Sequence, residues 1–92
     1  MSHAVVNYVR IEDAEQAATS TREVVLPRLQ QLPGFEHAVF VEDGGRGFSV
    51  MVFETREQAE GMAARLAGGD VPAPPGITFE RQEVYEVVAM ST

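Results

Sequence analysis

The sequence predicts an α+β fold of the split βαβ, ferredoxin-like type, in which helices cover one face of a four-stranded antiparallel sheet. The apolar side chains follow the periods of a strand, a helix, two strands, a helix and a final strand. Turns rich in glycine and proline separate these six segments. At 92 residues the chain is expected to form one domain over residues 1–92.

Residues 4–11 are predicted to form the first strand, and a helix is predicted to follow it. Apolar side chains occupy both faces of this strand, as expected where a strand is covered on both sides. Asp13 and Gln16 have the spacing of a capping box, which marks a helix start. Apolar residues then recur at spacings of three and four, which predicts an amphipathic helix of about five turns.

The first helix contains a proline and has a clear end. Pro27 cannot donate a hydrogen bond to the Glu23 carbonyl, so a kink is expected there. A second capping-box pair, Ser20 with Glu23, leaves open a helix that starts late or breaks. Pro33 followed by Gly34 predicts the end of the helix.

The middle of the chain is predicted to be a β-hairpin. Residues 37–41 and 48–53 are rich in β-branched and aromatic side chains, and residues 42–47 between them supply three glycines for a turn. The glycine-rich sequence at 45–47 precedes a strand and not a helix. It is therefore expected to be a turn and not a phosphate-binding loop.

A second helix and a long strand complete the pattern. Thr55 and Gln58 form a capping box, and Gly68 and Gly69 end the helix. Residues 77–90 have strand character but would extend about 46 Å if straight. Because a domain of this size has a radius of gyration of about 12 Å, this strand must bend, bulge or cross to another subunit. Its polar residues 80–83 are the expected place for a bend.

Composition and charge exclude several classes of protein. The chain has seven arginines, no lysines and fourteen acidic residues, which gives a net charge of −7. Nucleic acid is therefore not an expected partner. No apolar stretch approaches the roughly 18 residues of a membrane span, and the N-terminal sequence lacks a signal-peptide pattern. A cytoplasmic protein without a membrane partner is expected. With no cysteine, neither a disulfide framework nor one of the usual structural zinc sites is predicted. No metal and no other cofactor is expected.

The sheet face away from the helices is predicted to be apolar as well. An exposed apolar sheet in an acidic protein indicates an interface. Two copies packed face to face, with the last strands exchanged across the edges, would bury it, and a homodimer is therefore predicted. The residues expected on this face are Val6, Tyr8, Phe48, Val50 and Val52.

Three stretches in this order resemble the dimeric α/β-barrel superfamily that contains the antibiotic-biosynthesis monooxygenases. They are the first strand with Asn7, the segment VVLPRL at 24–29 leading to LPGF at 32–35, and the segment VFETREQA at 52–59. Together with the final strand they cover nearly the whole chain. The resemblance implies a dimeric α/β barrel, and it implies that Pro27 is a kink within the first helix.

The resemblance also implies two activities. Some members oxidise polyketide-type aromatic substrates without metal or organic cofactor, and others degrade haem. The haem-degrading members use an asparagine on the first strand, a tryptophan at the end of the third strand and a histidine on the second helix. Asn7 matches the asparagine and Phe53 takes the tryptophan position, but residues 59–69 contain no histidine. Of the two histidines, His3 is expected at a mobile terminus and His37 at the start of the second strand, so haem degradation is disfavoured.

Asn7 is the candidate catalytic residue. Asparagine is uncommon inside strands, and a buried amide needs hydrogen-bond partners. It is expected either to bind a substrate or oxygen species in a pocket, or to fix the position of a strand or helix. The candidate pocket-lining residues, which are otherwise ordinary core, are Met51, Phe53, Met62 and Leu66.

Two hypotheses follow. One is a small cofactor-independent monooxygenase acting on a hydrophobic, aromatic small molecule. The other is a non-catalytic dimeric module that binds a small hydrophobic ligand or only assembles. An enclosed cavity of about 300 Å³ or more, with the Asn7 amide pointing into it, would favour an enzyme or a ligand-binding protein.

Overall fold

A computed structural model describes residues 1–91, which form a four-stranded antiparallel sheet covered on one face by helices. The sheet order is β2-β3-β1-β4, with every neighbouring pair antiparallel. This confirms the predicted ferredoxin-like α+β fold. The strands are β1 (His3–Ile11), β2 (Phe35–Asp43), β3 (Arg46–Phe53) and β4 (Ile77–Glu86). The helical elements are α1 (Ala14–Ser20), a π-helical segment (Thr21–Val25), α2 (Leu26–Leu29) and α3 (Arg56–Gly68).

The first helical region begins as predicted and accommodates its proline without breaking. The Asp13 side chain accepts a hydrogen bond from the Gln16 backbone N–H at 3.0 Å and caps α1. Ser20 makes no capping hydrogen bond, and the chain continues as a π-helical segment in which the Leu26 N–H donates to the Thr21 carbonyl. Because Pro27 lacks an N–H and its ring crowds the preceding turn, the widened turn takes the place of a sharp kink.

The hairpin and α3 are built by glycine and capping residues at the predicted places. Gly44 and Gly45 have φ angles of 61° and 83° and form the two-residue turn between β2 and β3. At α3, the Thr55 and Gln58 side chains complete a reciprocal capping box. Gly69, with a φ of 82°, ends the helix in the left-handed conformation.

The last strand is shorter than predicted. β4 ends at Glu86 and not at residue 90, because Glu86 pairs with His3, the first residue of β1, and no strand residue lies beyond it to pair with. The backbone N–H of Val87 donates one more bond, to the Ser2 carbonyl. Within β4, Glu80 is an extra residue between the pairs that Arg81 and Phe79 make with β1. The predicted bend at 80–83 is this β-bulge.

The hydrophobic core lies between the sheet and α3, which packs on β1, β3 and β4. The segment from α1 to α2 contacts the sheet less closely. The buried residues of the hydrophobic core are Val5, Leu29, Met51, Phe53, Ala59, Met62 and Leu66. Among residues 1–91, no helix has the length and apolar composition to cross a membrane.

The opposite face of the sheet is partly open and apolar. Phe48 on β3 is 41% exposed, and Val39 on β2 is 52% exposed. Val6 and Val50 are half-buried, whereas Val52, which was expected on the open face, is buried at its end of the sheet.

Candidate functional site

A cavity of about 990 Å³ lies between the sheet and the segment from α1 to α2. It exists because α3 covers only part of the helical face of the sheet, and α1 to α2 stand further from the strands. Apolar side chains form most of its wall, and residues 70–75, which include three prolines, contribute to it. Its apolar lining includes Val9, Ala17, Ala18, Val25, Leu29, Leu32, Ala38, Phe40, Met51, Met62, Leu66, Ile77 and Phe79.

Asn7 and Ser49 are buried polar residues in this lining. Asn7 on β1 is 4% exposed and Ser49 on β3 is 5% exposed. The sheet register places Asn7 directly between Ser49 and Gln82 of β4. The Gln82 Nε2 donates a hydrogen bond to the Asn7 Oδ1 at 2.8 Å. Three adjacent strands therefore contribute one polar row to the helical face of the sheet.

This row leaves hydrogen-bonding groups available to a ligand. The Asn7 Oδ1 is occupied by Gln82, and among residues 1–91 neither the Asn7 NH2 nor the Ser49 hydroxyl makes a hydrogen bond to a protein group. No fully buried side-chain nitrogen or oxygen in that range lacks a partner, so both groups must retain contact with the cavity. An amide NH2 donates, and a hydroxyl donates or accepts. The row is suited to hold a carbonyl oxygen or an oxyanion.

The candidate pocket residues do not all lie at the cavity. Met51, Met62 and Leu66 line it, on β3 and α3. Phe53 is outside its lining and packs in the core, where its ring meets the Phe35 ring edge-on with centroids 5.9 Å apart. Met51 thus lies both in the core and at the cavity wall.

Neither histidine lines the cavity. The expectation that His3 lies at a mobile terminus is wrong, because it is 6% exposed and pairs with both β3 and β4. Its Nδ1 donates to the Met1 carbonyl, and its Nε2 accepts a bond from the Arg56 Nε at 3.3 Å. His37 is exposed on β2, as predicted for a strand residue at the surface. Within residues 1–91, no three histidine, aspartate or glutamate side chains group to hold a metal ion.

The open face of the sheet carries a second polar cluster, on β1 and β4. The Arg81 guanidinium lies 3.8 Å from the centre of the Tyr8 ring, and its Nε is 3.7 Å from Glu83. The Tyr85 hydroxyl donates to Glu83 at 2.9 Å. This hydrogen bond lowers the pKa of Glu83 and raises the pKa of Tyr85. Arg81, Glu83 and Tyr85 share one face of β4.

Sequence reasoning missed Ser49 and Gln82 as members of the polar row. Ser49 carried the same signal as Asn7, a polar residue within an apolar strand. Gln82 lay in the polar stretch 80–83, which was interpreted only as a bend. Its contact with Asn7 depends on the register between β1 and β4, which no local sequence pattern reveals.

No family model matches this chain, and none of the curated proteins matches it in sequence. Among solved structures, MupZ from Pseudomonas fluorescens is similar with a TM-score of 0.67 and 18% identity, over 90% of this chain and 69% of that one. The heme-degrader MhuD from Mycobacterium tuberculosis, whose structure has two hemes bound in its active site, is similar with a TM-score of 0.59 and 20% identity. That match covers 98% of this chain and 99% of MhuD. At these identities the comparison establishes a shared ferredoxin-like α+β fold.

Proposed function

We propose that this protein binds a small hydrophobic, ring-bearing molecule in the cavity and oxidises it as a cofactor-independent monooxygenase. The observation that carries the proposal is a largely apolar cavity of about 990 Å³ with the buried Asn7 amide in its wall. Small-molecule sites have volumes of about 300–1,000 Å³, apolar walls and a few polar groups. The general likeness of the fold to MupZ and MhuD supports it further.

The chemistry proposed is oxidation of an activated CH2 group to a carbonyl. Loss of a proton to water at the cavity mouth gives an enolate, whose oxygen is bound by the Asn7 NH2 and the Ser49 hydroxyl. Dioxygen then accepts electrons from the carbon. One oxygen atom remains on that carbon as the new C=O and the other leaves as water with the two hydrogens. Fixed donors at a developing oxyanion are an effective way to lower such a barrier.

Oxygen uptake with an anthrone probe tests this function. Wild-type protein should consume O2 with the anthrone, and ¹⁸O2 should place one labelled oxygen in the product. Asn7→Ala should lower the rate by about 10²–10³-fold, the usual effect of removing an oxyanion donor. Gln31→Ala removes an exposed amide outside the cavity lining and is the matched control. Equal rates for wild type and a folded Asn7→Ala variant would contradict the proposal.

A non-catalytic ligand-binding module is the second candidate. It is favoured by the absence of any histidine from the cavity lining among residues 1–91, since a general base is then missing beside Asn7. The carboxylates that line the cavity, Glu42 and Asp70, are exposed. Saturable binding of the anthrone without oxygen uptake would support this second function.

Haem is a poorer candidate for the ligand. The cavity is large enough, but no histidine among residues 1–91 lines it to ligate an iron. We therefore expect haem titration to give no saturating shift of the Soret band. Saturation at one haem per chain would instead favour haem as the substrate.

We propose further that two copies associate through the open sheet face. Phe48, Val39 and Val41 are each more than 40% exposed on that face. If the open sheet faces of two copies packed against each other, the apolar surface of both copies would be removed from water.

A further inference from the structure

Three of the seven arginines of this chain lie along the cavity. They are Arg22 in the π-helical segment, Arg28 in α2 and Arg65 in α3. All three are exposed residues that contribute to the cavity lining. The cations are therefore supplied by the helical side of the cavity, opposite the sheet that carries Asn7.

Unlike most of the others, these three arginines have no ion-pair partner among residues 1–91. Neither ion pair among residues 1–91 includes one of them. Elsewhere, Arg10 pairs with Glu12 at 3.0 Å, Arg81 pairs with Glu83, and Arg56 donates to His3. The chain contains twice as many acidic residues as arginines, so these unpaired guanidinium groups are not explained by a shortage of carboxylates.

The charge of the cavity lining is opposite to that of the protein. Among residues 1–91, two carboxylates, Glu42 and Asp70, line the cavity with the three arginines. This part of the lining therefore has one more positive than negative charge, whereas the chain carries −7. A local positive field next to apolar walls attracts a molecule that has both an anionic group and a hydrophobic body. Guanidinium groups favour planar oxyanions such as carboxylates, because they form paired hydrogen bonds with them.

We propose that the ligand of the cavity is an amphipathic anion, with a carboxylate or similar oxyanion group held by Arg22, Arg28 and Arg65. Its hydrophobic rings lie against the apolar wall, and an oxygen atom of the ring body faces Asn7. This inference rests on the proposed function, since it names the class of molecule that the cavity selects. Arg28 and Arg65 also lie in the last turn of their helices, where a cation interacts favourably with the helix dipole. That role affects stability and does not discriminate between charged and neutral ligands.

Two fluorescent probes with the same ring skeleton separate charge from hydrophobicity. Anilinonaphthalene sulfonate is an anion, and N-phenylnaphthylamine is its neutral counterpart. We expect the sulfonate to bind wild-type protein more tightly than the neutral probe, and its affinity to fall as salt is added. Each of Arg22→Gln, Arg28→Gln and Arg65→Gln should weaken sulfonate binding by about two- to fivefold, the range for exposed charge pairs. Binding of the neutral probe should not change.

Arg10→Gln is the matched control, because it removes the same charge at a residue outside the cavity lining. It should leave both affinities unchanged. Thermal unfolding of each variant verifies that it is folded. Equal affinity of wild type for the two probes, or equal effects of Arg10→Gln and the three cavity variants, would overturn the anion inference while leaving the cavity as a site for hydrophobic molecules. Binding of neither probe would count against the proposed function itself.

Discussion

The Gln82 side chain donates a hydrogen bond to the Asn7 Oδ1 at 2.8 Å and thereby fixes which end of the Asn7 amide is available to the cavity. Because the oxygen is occupied, the NH2 group is the end left for a ligand. Gln82 is not part of the cavity lining. It is a positioning residue, which acts on a ligand only through Asn7.

Replacing Gln82 by glutamate should turn the Asn7 amide, so that its oxygen faces the cavity in place of its NH2 group. At neutral pH the introduced carboxylate only accepts hydrogen bonds, so the Asn7 NH2 must turn toward it and leave Oδ1 facing the cavity. Acetylnaphthalene, which carries a carbonyl acceptor, should bind Gln82→Glu about two- to tenfold more weakly than wild type, the value of one hydrogen bond. Ethylnaphthalene, which has no acceptor, should bind both proteins equally.

The pH dependence of this effect distinguishes positioning from damage to the fold. As the pH falls through the pKa of the introduced carboxyl group, that group becomes a donor again, and acetylnaphthalene affinity should recover. Gln30→Glu, at an exposed position outside the cavity lining, is the control. Persistent weak binding at low pH, in a protein that remains folded, would argue against the positioning role.

Two glycine-to-alanine substitutions should change stability in opposite directions. Gly34 has a φ of 75°, and a Cβ there would collide with the Gln58 side chain that caps α3. Gly34→Ala should lower the free energy of unfolding by about 1–3 kcal/mol, through left-handed strain and loss of the cap. Gly61 lies within α3, where a Cβ meets open space, so Gly61→Ala should raise stability by about 0.5–1 kcal/mol.

Urea denaturation of both variants measures these changes. The opposite signs serve as a mutual control, since each substitution adds the same methyl group. Unchanged stability of Gly34→Ala would mean that the Gln58 cap tolerates a side chain at that turn.

Tyr85→Phe should raise the pKa of Glu83 toward its ordinary value of 4.5, because the largest cause that lowers this pKa is the hydrogen bond from the Tyr85 hydroxyl. Stability from this bond is present above the pKa of Glu83 in the unfolded chain and is lost as the pH falls through the lower folded value. The stability difference between wild type and Tyr85→Phe should therefore shrink on acidification below about pH 4.5.

An NMR titration of the Glu83 carboxyl carbon measures this pKa directly. Tyr8→Phe is the graded control, because the Tyr8 hydroxyl lowers the same pKa less than Tyr85 does. If the Glu83 pKa rose as much or more in Tyr8→Phe as in Tyr85→Phe, the Tyr85 hydroxyl would not be the main cause of the low pKa, and the prediction would be wrong.

Phe48→Glu should separate the proposed homodimer into single chains. Phe48 is 41% exposed on the open sheet face, in contact with the Tyr8 ring at a centroid distance of 6.0 Å. A carboxylate there would lose hydration in the interface and would remove the apolar surface that Phe48 buries, so the association should weaken. Light scattering should report twice the 10.0 kDa chain mass for wild type and the single mass for this variant.

Ala67→Asp places a carboxylate on the exposed surface of α3 and should leave the dimer intact. A wild-type mass of one chain at micromolar concentration would contradict the proposed association.

The elements that could be predicted from the sequence are those determined by local chemistry. The capping residues Asp13 and Thr55 and the glycine turn at 44–45 each act within a few residues of their own position, and each occurs as expected. The alternation of apolar residues also predicted which strand side chains point to each face of the sheet.

The candidate site was harder to predict because it depends on contacts between distant segments. Asn7 and Gln82 are 75 residues apart in the chain. Phe53 was expected at the pocket, but the Phe35 ring at the start of β2 meets it in the core instead. His3 is buried because two strands flank it, which no terminal sequence pattern indicates.

The single extra residue at Glu80 decides which side chains of β4 form the cavity wall. With strict alternation from Gln82, the residues facing inward would be Glu80 and Thr78. The bulge exchanges the two sides of the strand beyond that point, so Phe79 and Ile77 face the cavity instead. One strand can thus supply both the amide that orients Asn7 and, further along, the apolar surface on which a ring can lie.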